Sequence, residues 1–112
     1  MRPRASFDVL VIGSGFMTHG LPYTDMHRGP DQVAPGWSRE FDAWAAEALA
    51  NGDVETLMDF QQAPATRYAH PTLDHLVPMY ITLGMATDPH APAENKIDGF
   101  WYGLSKRSFA VA

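Results

Sequence analysis

Five histidines and no cysteine set the chemistry open to this chain. Histidine binds transition metals and moves protons near neutral pH. The absence of cysteine removes disulfides, thiolate catalysis and thiolate zinc sites together. His70 and His75 fall with Asp74 in the run Ala69-His70-Pro71-Thr72-Leu73-Asp74-His75-Leu76-Val77-Pro78, directly before an apolar stretch from Met79 to Met85. His19 follows Val9-Leu10-Val11-Ile12 and the glycine pair of Gly13-Ser14-Gly15. His27 and His90 stand in polar loop sequence, and no role is assigned to them.

Spacing limits what these groups can do together. Five residues apart on a helix, His70 and His75 would point roughly 140° apart, so a regular helix cannot aim both at one ion. Either one of them binds metal or the segment is not helical there. Plainer roles exist for each: His70 as a turn residue before proline, and Asp74 as a first-turn carboxylate favoured by the helix dipole. Gly13-Ser14-Gly15 fits neither a dinucleotide fingerprint, which needs glycine where Thr18 stands, nor a nucleophile elbow, which needs glycine at Ile12 and Phe16. The plain reading is a glycine turn at a strand end. His19 just beyond that end is where ligands gather in open α/β sheets.

The surrounding pattern supplies the elements. Phe7 to Ile12, apolar on both faces, predicts a short buried strand of parallel-sheet type. Residues 20–37, rich in Gly, Pro and Asp, predict a long surface loop. Ser38 is the predicted N-cap of a helix whose apolar stripe is Phe41, Trp44, Ala45, Ala48 and Leu49. Asn51-Gly52 stops it, and Asp53 caps a second helix with Val54, Leu57, Met58 and Gln61 on one face, ended by Pro64. Pro78 places the start of a third helix close to itself. Residues 86–98 read as loop, and the tail as strand at Phe100-Trp101-Tyr102 and at Ser108 to Val111. Phe41, Trp44 and Trp101 are expected in the core and not as a substrate platform.

Composition bounds the rest. With 112 residues, 46% hydrophobic and 19% charged, residues 1–112 fit one globular domain with a modest core. A formal charge of −5 offers no basic patch to phosphate, which argues against nucleic acid as a partner. The apolar run at Val9 is too short for a membrane span or a signal segment, so no membrane partner and a cytoplasmic location are expected.

The order of segments carries more than any single motif. Val9-Leu10-Val11-Ile12-Gly13-Ser14-Gly15-Phe16-Met17-Thr18-His19-Gly20-Leu21 resembles the strand, glycine turn and histidine of the class III extradiol ring-cleavage dioxygenases, in their 4,5-DOPA extradiol dioxygenase-like branch. Phe41-Asp42-Ala43-Trp44 is similar to that family's F-x-x-W helix. His70-Pro71-Thr72-Leu73-Asp74-His75-Leu76-Val77-Pro78, running on to Leu83-Gly84, resembles its H-P-T-x-E-H-x-x-P-L…L-G segment. Gly103-Leu104-Ser105-Lys106-Arg107-Ser108-Phe109 is similar to its closing strand.

The resemblance implies an α/β fold, here the C-terminal portion of an extradiol dioxygenase domain with an exposed sheet edge. It implies that His75 holds a metal, with His70 and Asp74 as weaker candidates to bind or support it. His19 then acts as general acid/base on a catechol-type substrate opened with O2. Non-haem Fe(II) is the implied cofactor, with zinc able to stand in its place. Asp74 replaces the family's glutamate with a shorter reach. In that family at least two further histidine ligands precede the His19 strand, and no residue here matches them. The expected partners are therefore a complementing N-terminal half or a second copy, and one partial catalytic domain spans 1–112. The alternative is a truncated α/β fragment, non-catalytic, serving as an oligomerising or interaction module.

Overall fold

The computed structural model describes residues 9–112. Its centre is a long helix, α1 (Gly36–Ala50), followed by α2 (Val54–Met58), α3 (Thr66–Ala69) and α4 (Val77–Gly84). Four short strands complete the chain: β1 (Glu94–Ile97), β2 (Phe100–Trp101), β3 (Leu104–Ser105) and β4 (Ser108–Ala110). Helices and strands together give the α/β class the sequence predicts.

The apolar stripe of α1 folds inward as expected. Phe41 and Ala45 are fully buried, and Ala48 and Leu49 nearly so. They meet Leu57, Ala69, Leu76, Met79, Leu83 and Met17 in one core. Burial of a side chain the size of Phe41 stabilises the fold by about 1.5–3 kcal/mol. The Asp53 side chain accepts from the Thr56 amide, which is the predicted cap of α2. Pro78 lies in the first turn of α4, where its missing N–H costs no hydrogen bond. The Tyr80 hydroxyl donates to the Leu57 carbonyl and ties α4 to α2. Burial pushes that phenol up to about 12.

Several expectations need correction. Val9 to Ile12 is neither strand nor buried: Leu10 is 83% and Ile12 80% exposed. No described segment pairs with it, and a strand without a ladder partner satisfies none of its backbone groups. Phe7, the start of that predicted strand, lies outside the described residues. The sheets are antiparallel and two-stranded, β1 with β4 and β2 with β3. The segment 86–98 contains β1, which the polar run Glu94-Asn95-Lys96 disguises because every residue of that strand is exposed. Residues 20–37 hold two short 3-10 turns, Leu21–Tyr23 and Met26–Arg28, and the start of α1. Ser38 is not the cap: α1 begins two residues earlier, and the Ser38 hydroxyl is buried 2.7 Å from that of Thr18. Trp101 is 48% exposed and so is not core, although Phe41 is and Trp44 packs against it.

Candidate functional site

The glycines at 13 and 15 act by closeness, not by a sharp turn. Neither has a positive φ. A Cβ at Gly15 would lie 2.5 Å from the His75 carbonyl oxygen, and one at Gly13 would lie 2.9 Å from that of Pro78. Only glycine lets residues 13–15 run against the chain between His75 and α4. That approach brings His19, four residues on, to His75.

The two imidazoles stack, with ring centroids 3.5 Å apart and planes 14° from parallel. Ring-nitrogen lone pairs lie in the ring planes, so these two sets run side by side instead of converging on one ion. The arrangement suits one metal ligand beside one proton carrier better than two ligands. Burial, and then the neighbouring His75, hold the His19 imidazole below its ordinary range. A neutral ring with a free lone pair is the state of a general base.

His70 lies underneath. It is 4% exposed, edge-on to Phe41, and its Nε2 is 2.6 Å from the Met17 carbonyl oxygen. A carbonyl only accepts, so Nε2 carries the proton, and the buried Nδ1 has no hydrogen-bond partner. Burial lowers the His70 pKa against the opposing effect of that hydrogen bond. Asp74 is exposed, and its Oδ2 stands 3.7 Å from His75 Nε2, beyond hydrogen-bond distance. Its other oxygen accepts from the Thr72 hydroxyl, which is the main reason its carboxyl titrates below the usual range. His27 is an exposed residue of a 3-10 turn, and His90 pairs with Glu55 on the surface at 2.8 Å.

Sequence reasoning misses the frame around Met17, Thr18 and His19. The Met17 amide donates to the Ser105 carbonyl at 3.2 Å and the His19 amide to the Ala69 carbonyl at 2.7 Å. The Thr18 hydroxyl accepts from the Ser105 amide at 2.7 Å. The Ser105 hydroxyl donates to Asp42 at 2.5 Å, and Asp42 takes two further bonds from the Arg107 guanidinium at 2.9 and 3.0 Å. The Phe-Asp-Ala-Trp and Gly-Leu-Ser-Lys-Arg motifs were the available signal. What they do not disclose is that Asp42 and Arg107 meet across 65 residues.

A groove of about 400 Å³ opens beside the histidine pair. Ile12, Phe16, Met79, Met85 and Phe109 line it, and His75 contributes a polar wall. Beyond Phe16, whose ring is 6.1 Å from that of His19, lies the exposed Trp101 at 6.3 Å.

As a metal centre the cluster is partial. It offers the His75 imidazole and the Asp74 carboxylate at its rim. Among the described residues no group of three or more His, Asp or Glu is gathered closely enough to hold an ion. The donor types fit a transition metal, and the number present fits a contribution to a coordination shell. Among the described residues no helix is long and apolar enough to cross a membrane.

Comparison with known proteins points the same way. The sequence profile described as the catalytic LigB subunit of aromatic ring-opening dioxygenase matches residues 4–106. The chain is 39% identical over 87 residues to a protein of Mirabilis jalapa named 4,5-DOPA dioxygenase extradiol, covering 77% of this chain and 32% of that relative. It is 37% identical to the proteins of the same name from Beta vulgaris and Portulaca grandiflora, covering 77% and 75% of this chain and 31% of each relative. The chain thus spans about a third of the length of the curated relatives it matches. Enzymes of this family are metal-dependent. With almost its whole length matched and the two motif histidines face to face, this chain belongs to the family of the catalytic LigB subunit of aromatic ring-opening dioxygenases.

Proposed function

We propose that this chain carries part of the active site of an extradiol dioxygenase that opens a catechol-type ring with O2. The observation that carries the reading is the stack of His19 on His75. In it, His75 serves as a metal ligand and His19 as the proton carrier, with His70 and Asp74 supporting His75 and not completing its shell. Ferrous iron suits the role, with zinc able to stand in its place, because the metal supplies open positions for substrate oxygens and for O2.

The chain's own residues account for the proton steps. His19, kept neutral by burial and by its neighbour, takes a proton from a phenolic hydroxyl as the catechol binds. It returns that proton later in the cycle. Phe16 and the apolar groove wall keep water from the ring faces and give an aromatic substrate a surface of its own kind. Asp74 keeps negative charge close to both imidazoles, which favours the protonated state of His19 when it forms.

The remaining donors come, in this reading, from polypeptide that covers the groove beside His75. The family relatives are about three times as long as the stretch matched here, which leaves room for such a segment. A second reading, an interaction module without catalysis, is favoured by the exposed apolar residues Leu10 and Ile12.

Anaerobic Fe(II) titration of the 112-residue chain beside His75→Ala separates the two. Stoichiometric binding abolished by the substitution supports the metal role. Weak binding that the substitution leaves unchanged overturns it for the chain alone and favours the interaction module.

A further inference from the structure

The catalytic reading needs His19 held at one place and one angle, and the hydrogen bond of its ring is to its own backbone. Its ring neighbours are the stacked face of His75 and the edge of Phe16. The angle must therefore come from the backbone, and the backbone before it is tied by a buried side chain.

Thr18 is fully buried, as are Ser38 and Ser105. Its hydroxyl sits between them, 2.7 Å from the Ser38 hydroxyl and 2.7 Å from the Ser105 amide that donates to it. One bond leads to α1 and the other to β3. Neither partner is itself loose. Ser105 is bound at 2.5 Å to Asp42, and Asp42 is clamped by Arg107. Ser38 stands on α1 one turn before Asp42, so both routes return to the same helix. A hydroxyl that both accepts and donates fits this position, and a methyl there would strand the Ser105 amide without a partner.

We infer that Thr18 is a positioning residue for His19: its hydroxyl fixes the preceding residue to α1 and β3 and so sets the His19 ring face-on to His75. The role rests on the reading of His19 as the proton carrier, since positioning matters to that chemistry. Nothing in the chain's motifs requires a threonine for covalent or metal chemistry at this place.

The test uses the whole 112-residue chain with its histidines isotope-labelled, and reads the ring protons of His19 and His75 by NMR. Rings stacked this closely shift each other's protons upfield. Thr18→Val keeps the shape and removes the hydroxyl, whereas Thr18→Ser keeps the hydroxyl and removes a methyl. The expected result is loss of the mutual shift in the valine variant and its retention in the serine variant, with unchanged far-UV circular dichroism in both. Retention of the shift in the valine variant overturns the inference. So does its loss in the serine variant, because the hydroxyl would then not be the determinant. Should the valine variant fail to fold, Thr18→Ala takes its place, with loss supporting the role and retention overturning it. The readout uses neither metal nor O2, so a failure here stands apart from a failure of the Fe(II) titration.

Discussion

The His70 imidazole and the Met17 carbonyl meet at 2.6 Å, with the ring edge-on to Phe41 and almost sealed from water. Burial lowers the pKa of this histidine from an ordinary value of 6.5, and His19 is lowered too, by burial and by His75. The sign follows from linkage. Above the unfolded value both states are neutral and stability is fully present. As pH falls below it, the unfolded chain takes up protons that the folded chain refuses, and stability drains away toward the lower folded value. The melting temperature is expected to fall between about pH 7.5 and 5. His70→Gln, which keeps an N–H donor and cannot titrate, is expected to flatten that slope. An equal slope in both proteins would show that other groups cause it.

Gly15 and Gly36 give opposite predictions for the same substitution. A methyl at Gly15 would meet the His75 carbonyl oxygen at 2.5 Å, whereas nothing lies within 4 Å of one at Gly36. Gly15→Ala is expected to cost about 1–3 kcal/mol, the usual penalty for overpacking. Gly36→Ala is expected to stabilise by about 0.4–1 kcal/mol through the unfolded chain. Urea denaturation of the two variants checks both signs.

Asp42 and Arg107 form an ion pair with side chains only 9% and 16% exposed. Removing one partner of such a pair leaves the other's charge stranded. Asp42→Ala is expected to cost about 3 kcal/mol or more, against about 0–1 kcal/mol for an exposed pair. Lys96→Ala, which breaks the exposed bridge to Glu94, serves as the comparison. Equal losses in chemical denaturation would refute the distinction.

Phe41 touches both the core and the histidine site, through Trp44 on one side and His70 on the other. Phe41→Ala is expected to cost about 3–5 kcal/mol, with the spread set by how far the site collapses. Differential scanning calorimetry would detect this as a large fall in melting temperature.

The helices were legible because their signals are local. The stripe Phe41, Ala45, Ala48, Leu49, the stop at Asn51-Gly52, the Asp53 cap and Pro78 near the start of α4 each act within a few residues. What failed was either solvent-facing or distant. Strand β1 carries polar residues on both faces, so it shows no alternation, and only its pairing with β4 makes it a strand. Val9 to Ile12 has the composition of a buried strand and no partner among the described residues. Ser38 has the right type for a cap, but a buried bond to Thr18 across 20 residues claims its hydroxyl. The meeting of His19 with His75 was implied by resemblance, since spacing alone cannot bring together residues 56 apart in the chain.

The bonds that frame Met17, Thr18 and His19 reach to Ser38, Ala69, His70 and Ser105, and β3 joins them from 87 residues away. Closing so long a loop precedes any gain from the contacts it makes. No early helical intermediate built on α1 and α2 alone can therefore hold the histidine stack. Release of β3 removes the bonds that hold Met17 and Thr18 next to His19, so the imidazole signals are expected to report whether that long-range closure is in place.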